Sequence, residues 1–110
     1  MNQQQHEQAC REEFGKPYSE VHEFLDRYYA EFRGINHRIL LHHRLGIELV
    51  VQQFGEDARA PAEQHIRLDW GFIPNSWEDL DRHYFPLSIE EDVAIEQELM
   101  RLYPEFPAKP

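Results

Sequence analysis

The longest helix-like pattern in the chain extends from Gly34 to Gly55. On a helical wheel of about 100° per residue its apolar side chains fill two arcs. These arcs contain Ile39, Leu40, Ile47, Val50, Val51 and Phe54 on one side, and Leu41, Leu45 and Leu49 on the other. A helix that is apolar over more than half of its girth must be covered on two sides. We therefore expect one long central helix that is N-capped by Asn36 and ended by Gly55.

Gly46 interrupts this pattern near its middle. A glycine inside a helix costs roughly 1 kcal/mol relative to alanine, because it loses more backbone freedom on folding. Such a glycine is typical of a place where a neighbouring helix or a bound group comes close to the backbone. Simple tolerance of the glycine is the alternative.

Shorter helical patterns flank the central one. They cover residues 2–14, 20–33, 61–70, 77–83 and 89–102. The first is so polar that we expect it to be frayed or weakly docked. No stretch shows the alternation of a strand. The pattern predicts an all-α, single-domain bundle of five or six helices, divided into an N-terminal polar helix or arm (1–17), a helical core domain (18–103) and a Pro-rich tail (104–110).

The net charge of the chain limits the kinds of partner that it is expected to bind. The 110 residues contain 21 acidic and 11 basic side chains, which gives a formal net charge of −10. Such a surplus of negative charge repels phosphate backbones, so general nucleic-acid binding is not expected. Acidic residues on a protein surface usually increase its solubility, but they also favour binding to a basic protein partner.

The sequence predicts a protein of the cytoplasm. No window approaches the roughly 18 apolar residues of a membrane span. Residues 1–13 also lack the basic start and apolar run of a signal peptide. The single cysteine, Cys10, cannot form an internal disulfide and lies among polar residues, so we assign it no role. The oligomeric state is left open.

Histidines stand beside the apolar face on three of the predicted helices. They are His22 with Asp26 four residues later, His43 with His37 and His42 as neighbours, and His65 with Asp69 four residues later. Residues four apart lie side by side on a helix, and imidazole next to carboxylate suits zinc, iron or manganese. We therefore predict a divalent metal site formed by His22, Asp26, His43, His65 and Asp69. Further candidates near it are His37, His42, Arg38 and Arg44, whereas no role is assigned to His6 and His83.

Two other arrangements fit the same residues. In one, Asp26 and Asp69 are not ligands and instead hold His22 and His65 in a single tautomer. In the other, the histidines form hydrogen bonds in a polar core and bind no metal. The sequence does not separate these arrangements.

A metal at this site would also suit hydrolysis. A divalent ion with an open coordination position lowers the pKa of a bound water to near neutrality, and guanidinium binds phosphate or carboxylate through two parallel hydrogen bonds. Arg33, Arg38 and Arg44 are therefore candidates for holding an anionic substrate. For Arg44, a local ion pair with Glu48 four residues later is the simpler prediction.

Part of this pattern resembles a known family. The motif HRxLxHHxxGI spans residues 37–47, and EQHIxxDxGxIP spans residues 63–74. Together with His22 and Asp26 they resemble a family of small His-rich helical proteins of bacteria and phages, a domain of unknown function. The resemblance covers roughly residues 18–80 and implies that these histidines and aspartates act together, but it implies no reaction. HD-type phosphohydrolases are similar only in placing His and Asp between helices, because this chain has no adjacent His-Asp pair.

The sequence thus supports two functions. The first is a small helical protein whose His/Asp site between helices binds a divalent metal, with hydrolysis of a phosphorylated or otherwise anionic small substrate as its chemistry. The second is a non-enzymatic acidic interaction protein, such as a phage-type inhibitor or adaptor that binds a basic host protein. The sequence does not decide whether the chain is an enzyme.

Overall fold

The computed structural model describes residues 1–81 and 84–105. Within these ranges the chain is all-α, as predicted, and has no strand. Its helices are α1 (Gln3–Phe14), α2 (Ser19–Leu25), α3 (Arg38–Leu41), α4 (Arg44–Phe54), α5 (Arg59–Trp70) and α6 (Ile89–Leu102). Short 3-10 turns are found at Arg27–Ala30, Gly34–His37, Glu56–Ala58 and Trp77–Asp79. None of these described helices is long and apolar enough to span a membrane. His83, with the predicted end of its helix, and the tail beyond residue 105 lie outside the described residues.

The chain does not form the single long helix predicted for residues 34–55. A 3-10 turn and the short α3 come first, and α4 begins only after a break at His42 and His43. His43 has extended backbone (φ −161°, ψ 178°), and its Nδ1 atom accepts a hydrogen bond from the Gly46 N–H at 3.2 Å. A histidine side chain therefore caps the helix, in the role predicted for Asn36.

Gly46 lies in the first turn of α4, directly after this break. A Cβ atom at this position would lie 1.8 Å from the carbonyl oxygen of Leu41, the last residue of α3. The predicted close approach is therefore confirmed, and the approaching group is the backbone of the preceding helix.

The second predicted helix is shorter than expected. α2 ends at Leu25 instead of near Arg33, and a 3-10 turn follows it. The helix begins after Tyr18, whose left-handed backbone (φ 50°, ψ 48°) turns the chain between α1 and α2. Because α2 ends early, Asp26 stands at its C-cap and no longer follows the helical path that was predicted for it.

Several helix ends carry a capping signal that can be read from the local sequence. Gly71 ends α5 in the left-handed conformation, and Ser88 and Glu91 form a capping box at the start of α6. Ser76 accepts the Glu78 N–H at 3.1 Å and so starts a 3-10 turn. These signals depend on neighbouring residues only, which is why the sequence is sufficient to find them.

The apolar core lies between α2 and the four helices that follow it. Its fully buried aliphatic side chains include Leu25, Ile39, Leu40, Leu41, Ile47, Ile66 and Ile95. Each such burial stabilises the fold by about 1.5–3 kcal/mol relative to exposure. On the last helix the sequence pattern predicts Val93, Leu99 and Met100 as the main apolar contacts. Leu99 is buried as predicted, but Val93 and Met100 are 50% and 72% exposed.

α1 is docked more closely than predicted. It starts with a complete capping box between Asn2 and Gln5. Its two buried side chains, His6 and Cys10, stand four residues apart and are fully buried. The helix contacts α2 and α5. A helix that is otherwise polar is therefore held by one histidine and one cysteine.

Candidate metal centre

Four side chains from three parts of the fold converge beside α5. They are Asp26 after α2, His42 after α3, and His65 and Asp69 on α5. His42 Nε2 lies 3.0 Å from Asp69 Oδ2 and 3.4 Å from Asp26 Oδ1. His65 Nε2 lies 3.3 Å from each of these oxygens and 3.2 Å from His42 Nε2. We call these four residues the His/Asp cluster.

The spacing within the His/Asp cluster matches a tetrahedral ion site. In a regular tetrahedron the centre lies about 0.61 edge lengths from each corner, so the five edges of 3.0–3.4 Å that involve a histidine correspond to a radius of about 1.8–2.1 Å. Zinc binds histidine nitrogen and carboxylate oxygen at about 2.0–2.2 Å. Two neutral imidazoles and two carboxylates also balance the charge of a divalent ion. The donor set therefore fits such an ion in distance, atom type and charge.

The cluster is accessible from one side. The side chains of His42 and His65 are fully buried and that of Asp69 is 2% exposed, whereas that of Asp26 is 28% exposed. A cleft of about 620 Å³ adjoins both carboxylates. A molecule from solvent would therefore reach the cluster beside Asp26.

Protons are unevenly shared within the cluster. Burial opposes ionisation of Asp26 and Asp69, but hydrogen bonds from the surrounding histidines outweigh it and hold the pKa of both carboxyls well below the ordinary range. Burial lowers the pKa of His42 despite the two carboxylates. For His65, burial acts in the same direction, but the carboxylates outweigh it and raise the pKa. Without a metal, the cluster therefore retains a proton most readily on His65.

Asp69 is held in place from its outer side. His6 Nε2 lies 3.1 Å from Asp69 Oδ1 and donates to it, because a carboxylate only accepts. The Arg38 guanidinium lies 3.6 Å from the same oxygen and donates to the Asp69 backbone carbonyl at 3.3 Å. Arg38 also lies over the ring of Trp70. The second oxygen of Asp69 is thereby directed into the cluster.

Asp26 is contacted by His37 in a way that favours a nearby positive charge. His37 Nδ1 donates to the Gly34 carbonyl at 2.6 Å, and its Nε2 lies 3.1 Å from Asp26 Oδ1. A neutral imidazole with its proton on Nδ1 presents a lone pair at Nε2. In the neutral ring that lone pair and the carboxylate repel each other, and a cation beside Asp26 would relieve the repulsion.

His22 does not belong to the His/Asp cluster, although it was predicted as a ligand. Its Nδ1 lies 2.8 Å from His65 Nδ1, and its Nε2 lies 3.2 Å from Cys10 Sγ. Burial, followed by the proximity of His65 and His6, lowers the pKa of His22 to about 4. Burial raises the pKa of the Cys10 thiol to about 11. Both groups are therefore neutral at pH 7.

A second group of histidines suits stacking better than ion binding. His6, His22 and His65 bring ring nitrogens close together. The rings of His6 and His65 are stacked, however, with centroids 3.7 Å apart and planes inclined by 14°. Imidazole lone pairs lie in the plane of the ring, so those of two stacked rings do not converge on one ion.

His43 is placed away from the cluster, contrary to its predicted role as a ligand. Its Nε2 donates to the Ile39 carbonyl at 3.1 Å, and its Nδ1 accepts from Gly46. Its ring packs beside Trp77 and Tyr103. Burial lowers the pKa of His43 to about 4. Because both ring nitrogens have backbone partners, His43 serves the fold.

One of the predicted arginines lies beside the cluster and another lies away from it. Arg38 lines the cleft beside the cluster. Arg44 points elsewhere and lies 3.6 Å from Glu63, with half of its side chain exposed. The predicted pair of Arg44 with Glu48 is wrong, since Arg59 binds Glu48.

His6 is the site residue that sequence reasoning missed. It was assigned no role because α1 has few apolar positions. The available signal was its spacing of four residues from Cys10, which places a histidine and a cysteine on one face of a largely polar helix.

The fold and the cluster define a small all-α protein with a buried His/Asp centre. The chain belongs to the family described as domain of unknown function DUF6915, whose profile matches residues 1–85. The match contains α1 to α5 and every residue of the cluster, and α6 lies beyond it. No curated protein and no solved structure matches the chain.

Proposed function

We propose that the protein binds one divalent metal ion through Asp26, His42, His65 and Asp69. The proposal rests on the spacing of four potential ligand atoms, one from each of these residues. Five of the six distances between these atoms are 3.0–3.4 Å. Two of them are imidazole Nε2 atoms that face each other as well as the carboxylates. A network of hydrogen bonds between neutral rings explains this less well, because His42 and His65 would then both place an N–H on Nε2, and these two atoms lie only 3.2 Å apart.

Zinc is the first candidate among the predicted ions. Two nitrogen and two oxygen ligands in tetrahedral geometry suit zinc. Iron in comparable sites is held by two histidines and one carboxylate with open positions, and manganese favours six oxygen ligands. Both therefore need ligands beyond the four that converge here.

The metal content of two histidine variants tests the proposal. The untagged protein, purified without chelator, is expected to contain about one zinc per chain by elemental analysis. His42→Ala is expected to lose it, because one of four ligands is removed. His43→Asn is the matched control at an equally buried histidine in the next position, and it is expected to keep the metal because an asparagine side chain still caps the helix.

Equal metal content in the two variants would contradict the proposal. So would a wild-type protein that takes up no metal when zinc is added back. In that case the histidines form a hydrogen-bonded core, and the acidic surface of the chain becomes the basis for the alternative function as an interaction protein for a basic partner.

Hydrolysis of a small anionic substrate is the second candidate, and the cleft beside Asp26 favours it. A bound divalent ion lowers the pKa of a coordinated water. Four protein ligands fill a tetrahedron, so water would enter as a fifth ligand on the side where Asp26 meets the cleft. Arg38 lines the same cleft with its guanidinium fixed by Asp69 and Trp70. It is thus the cation best placed to hold a phosphate or carboxylate there.

Replacement of Arg38 tests the hydrolytic candidate. With p-nitrophenyl phosphate as the probe, Arg38→Ala is expected to lower kcat/KM by about 10- to 100-fold, since a hydrogen bond to a charged group is worth about 1.5–3 kcal/mol. Arg44→Ala removes an arginine outside the cleft and is expected to leave the rate unchanged. Metal content is measured in both variants. A zinc-loaded protein without hydrolysis above the rate of free zinc would reject this candidate and leave metal binding intact.

A further inference from the structure

We propose that His22 is a positioning residue for the metal site, which holds His65 in the tautomer whose Nε2 atom is free to bind the ion. The inference rests on the proposed metal site and deepens it. It concerns a connected row of three buried side chains, Cys10, His22 and His65, which we call the relay.

The relay is continuous and lies wholly inside the protein. Cys10 Sγ and His22 Nε2 are 3.2 Å apart, and His22 Nδ1 and His65 Nδ1 are 2.8 Å apart. The planes of the two imidazoles are inclined by only 24°, with centroids 5.0 Å apart. The rings therefore meet edge to edge, which is the geometry of a hydrogen bond between them and not of a stack.

Binding of an ion at His65 Nε2 fixes the direction of every hydrogen bond in the relay. A neutral imidazole carries one N–H, so a ligand Nε2 leaves that N–H on Nδ1 of His65. This group then donates to His22 Nδ1. The N–H of His22 is left on Nε2 and donates to the sulfur of Cys10. Every ring nitrogen of His22 and His65 then has a partner, and neither ring carries a charge.

The reverse direction is also self-consistent and describes a site without metal. Cys10 S–H then donates to His22 Nε2, and the His22 N–H on Nδ1 donates to His65 Nδ1. The N–H of His65 now lies on Nε2 and points at the carboxylates of the His/Asp cluster. The two directions place the same proton of His65 on different nitrogens, which makes the inference measurable.

His42, the other histidine of the cluster, has no comparable support. Its Nδ1 atom is buried and has no hydrogen-bond partner among the described residues. Histidine ligands of metals usually donate their second N–H to a neighbouring group, and loss of such a partner typically costs 10- to 100-fold in metal affinity. Of the two histidines in the cluster, only His65 has such a partner, which is His22. We therefore expect the loss of His22 to weaken metal affinity by a factor in this range.

Zinc affinity of His22 variants tests the inference. His22→Leu removes the acceptor for His65 Nδ1–H and is expected to weaken zinc binding by about 10- to 100-fold. His22→Asn keeps an oxygen acceptor at the position of Nδ1 and is expected to bind within a few-fold of wild type. His43→Asn replaces an equally buried histidine outside the relay, keeps a cap for α4, and is expected to bind as wild type does. Affinity is measured by competition with a chromophoric chelator.

A spectroscopic measurement on the wild-type protein does not depend on the folding of any variant. In ¹⁵N-labelled protein loaded with zinc, His65 is expected to carry its proton on Nδ1, in a hydrogen bond to His22. Addition of chelator is expected to change that tautomer or charge state. Cobalt substitution adds a second readout, since an altered ligand geometry in His22→Leu would shift the visible absorption bands.

The outcomes separate this inference from the proposed function. Wild-type protein that binds zinc together with a His22→Leu variant that binds it equally well would overturn the role of His22 alone. Zinc-loaded protein with the His65 proton on Nε2 would overturn both the role of His22 and the assignment of His65 as a ligand. Wild-type protein that binds no zinc would overturn both the inference and the metal site.

Discussion

If the proposed metal ion is bound, its removal is expected to lower the unfolding temperature of the protein by about 10 °C. A ligand present at 100 times its dissociation constant adds about 2.7 kcal/mol to the stability of the folded state. Each kcal/mol shifts the midpoint of a domain of this size by about 4 °C. The proposed ion would also neutralise the carboxylates of Asp26 and Asp69, which otherwise share protons with buried histidines.

Thermal unfolding with excess zinc or with EDTA, followed by circular dichroism, measures this shift. Asp69→Asn removes one anionic ligand and is expected to melt at the same temperature under both conditions. Asp57→Asn makes the same chemical change at an exposed position and is expected to keep the full shift. A wild-type melting temperature that responds to neither zinc nor EDTA would contradict the metal site.

Gly46→Ala is expected to cost at least about 3 kcal/mol of folding free energy, at the upper end of the cost of overpacking. The new Cβ would lie 1.8 Å from the carbonyl oxygen of Leu41, and backbone cannot rotate away as the end of a side chain can. This steric clash is relieved only if α3 and α4 move apart at the break between them. Because that break also directs His42 into the cluster, zinc affinity is expected to fall together with stability.

Urea unfolding of Gly46→Ala and of Gly15→Ala measures this effect against a control. Gly15 has φ 80° and no atom that would contact a Cβ within 4 Å. Its replacement is therefore expected to cost only the roughly 1–2 kcal/mol of a left-handed alanine. A loss in Gly46→Ala no larger than the loss in Gly15→Ala would show that the α3–α4 junction can relax.

The break at His42 and His43 shows where the sequence was insufficient for the fold. The apolar period continues through both residues, so the pattern predicts one helix. The structure interrupts it because distant backbone takes part, and the Arg44 N–H donates to the Pro74 carbonyl at 2.9 Å. A contact across 30 residues leaves no trace in local periodicity. Gly46 was the one local sign that something unusual happens there.

The sequence was sufficient to predict those residues of the candidate site that lie on one continuous helix. His65 and Asp69 both lie on α5, and their spacing of four residues brings His65 Nε2 within 3.3 Å of Asp69 Oδ2. His22 and Asp26 have the same spacing, but α2 ends between them, and only Asp26 joins the cluster. His6 meets Asp69 across 63 residues of chain, a distance over which helical periodicity carries no information.

The shallow attachment of α1 gives the buried cluster a route of exchange. This helix closes one side of the histidines, yet only His6 and Cys10 of its side chains are buried. Elements with few buried contacts open at a small fraction of the global unfolding free energy. The cleft beside Asp26 is lined partly by Asn2 and Gln3 at the start of α1, so local opening of α1 would widen the route by which an ion held inside comes and goes. Its residence time would depend on that opening and not on the lifetime of the whole fold.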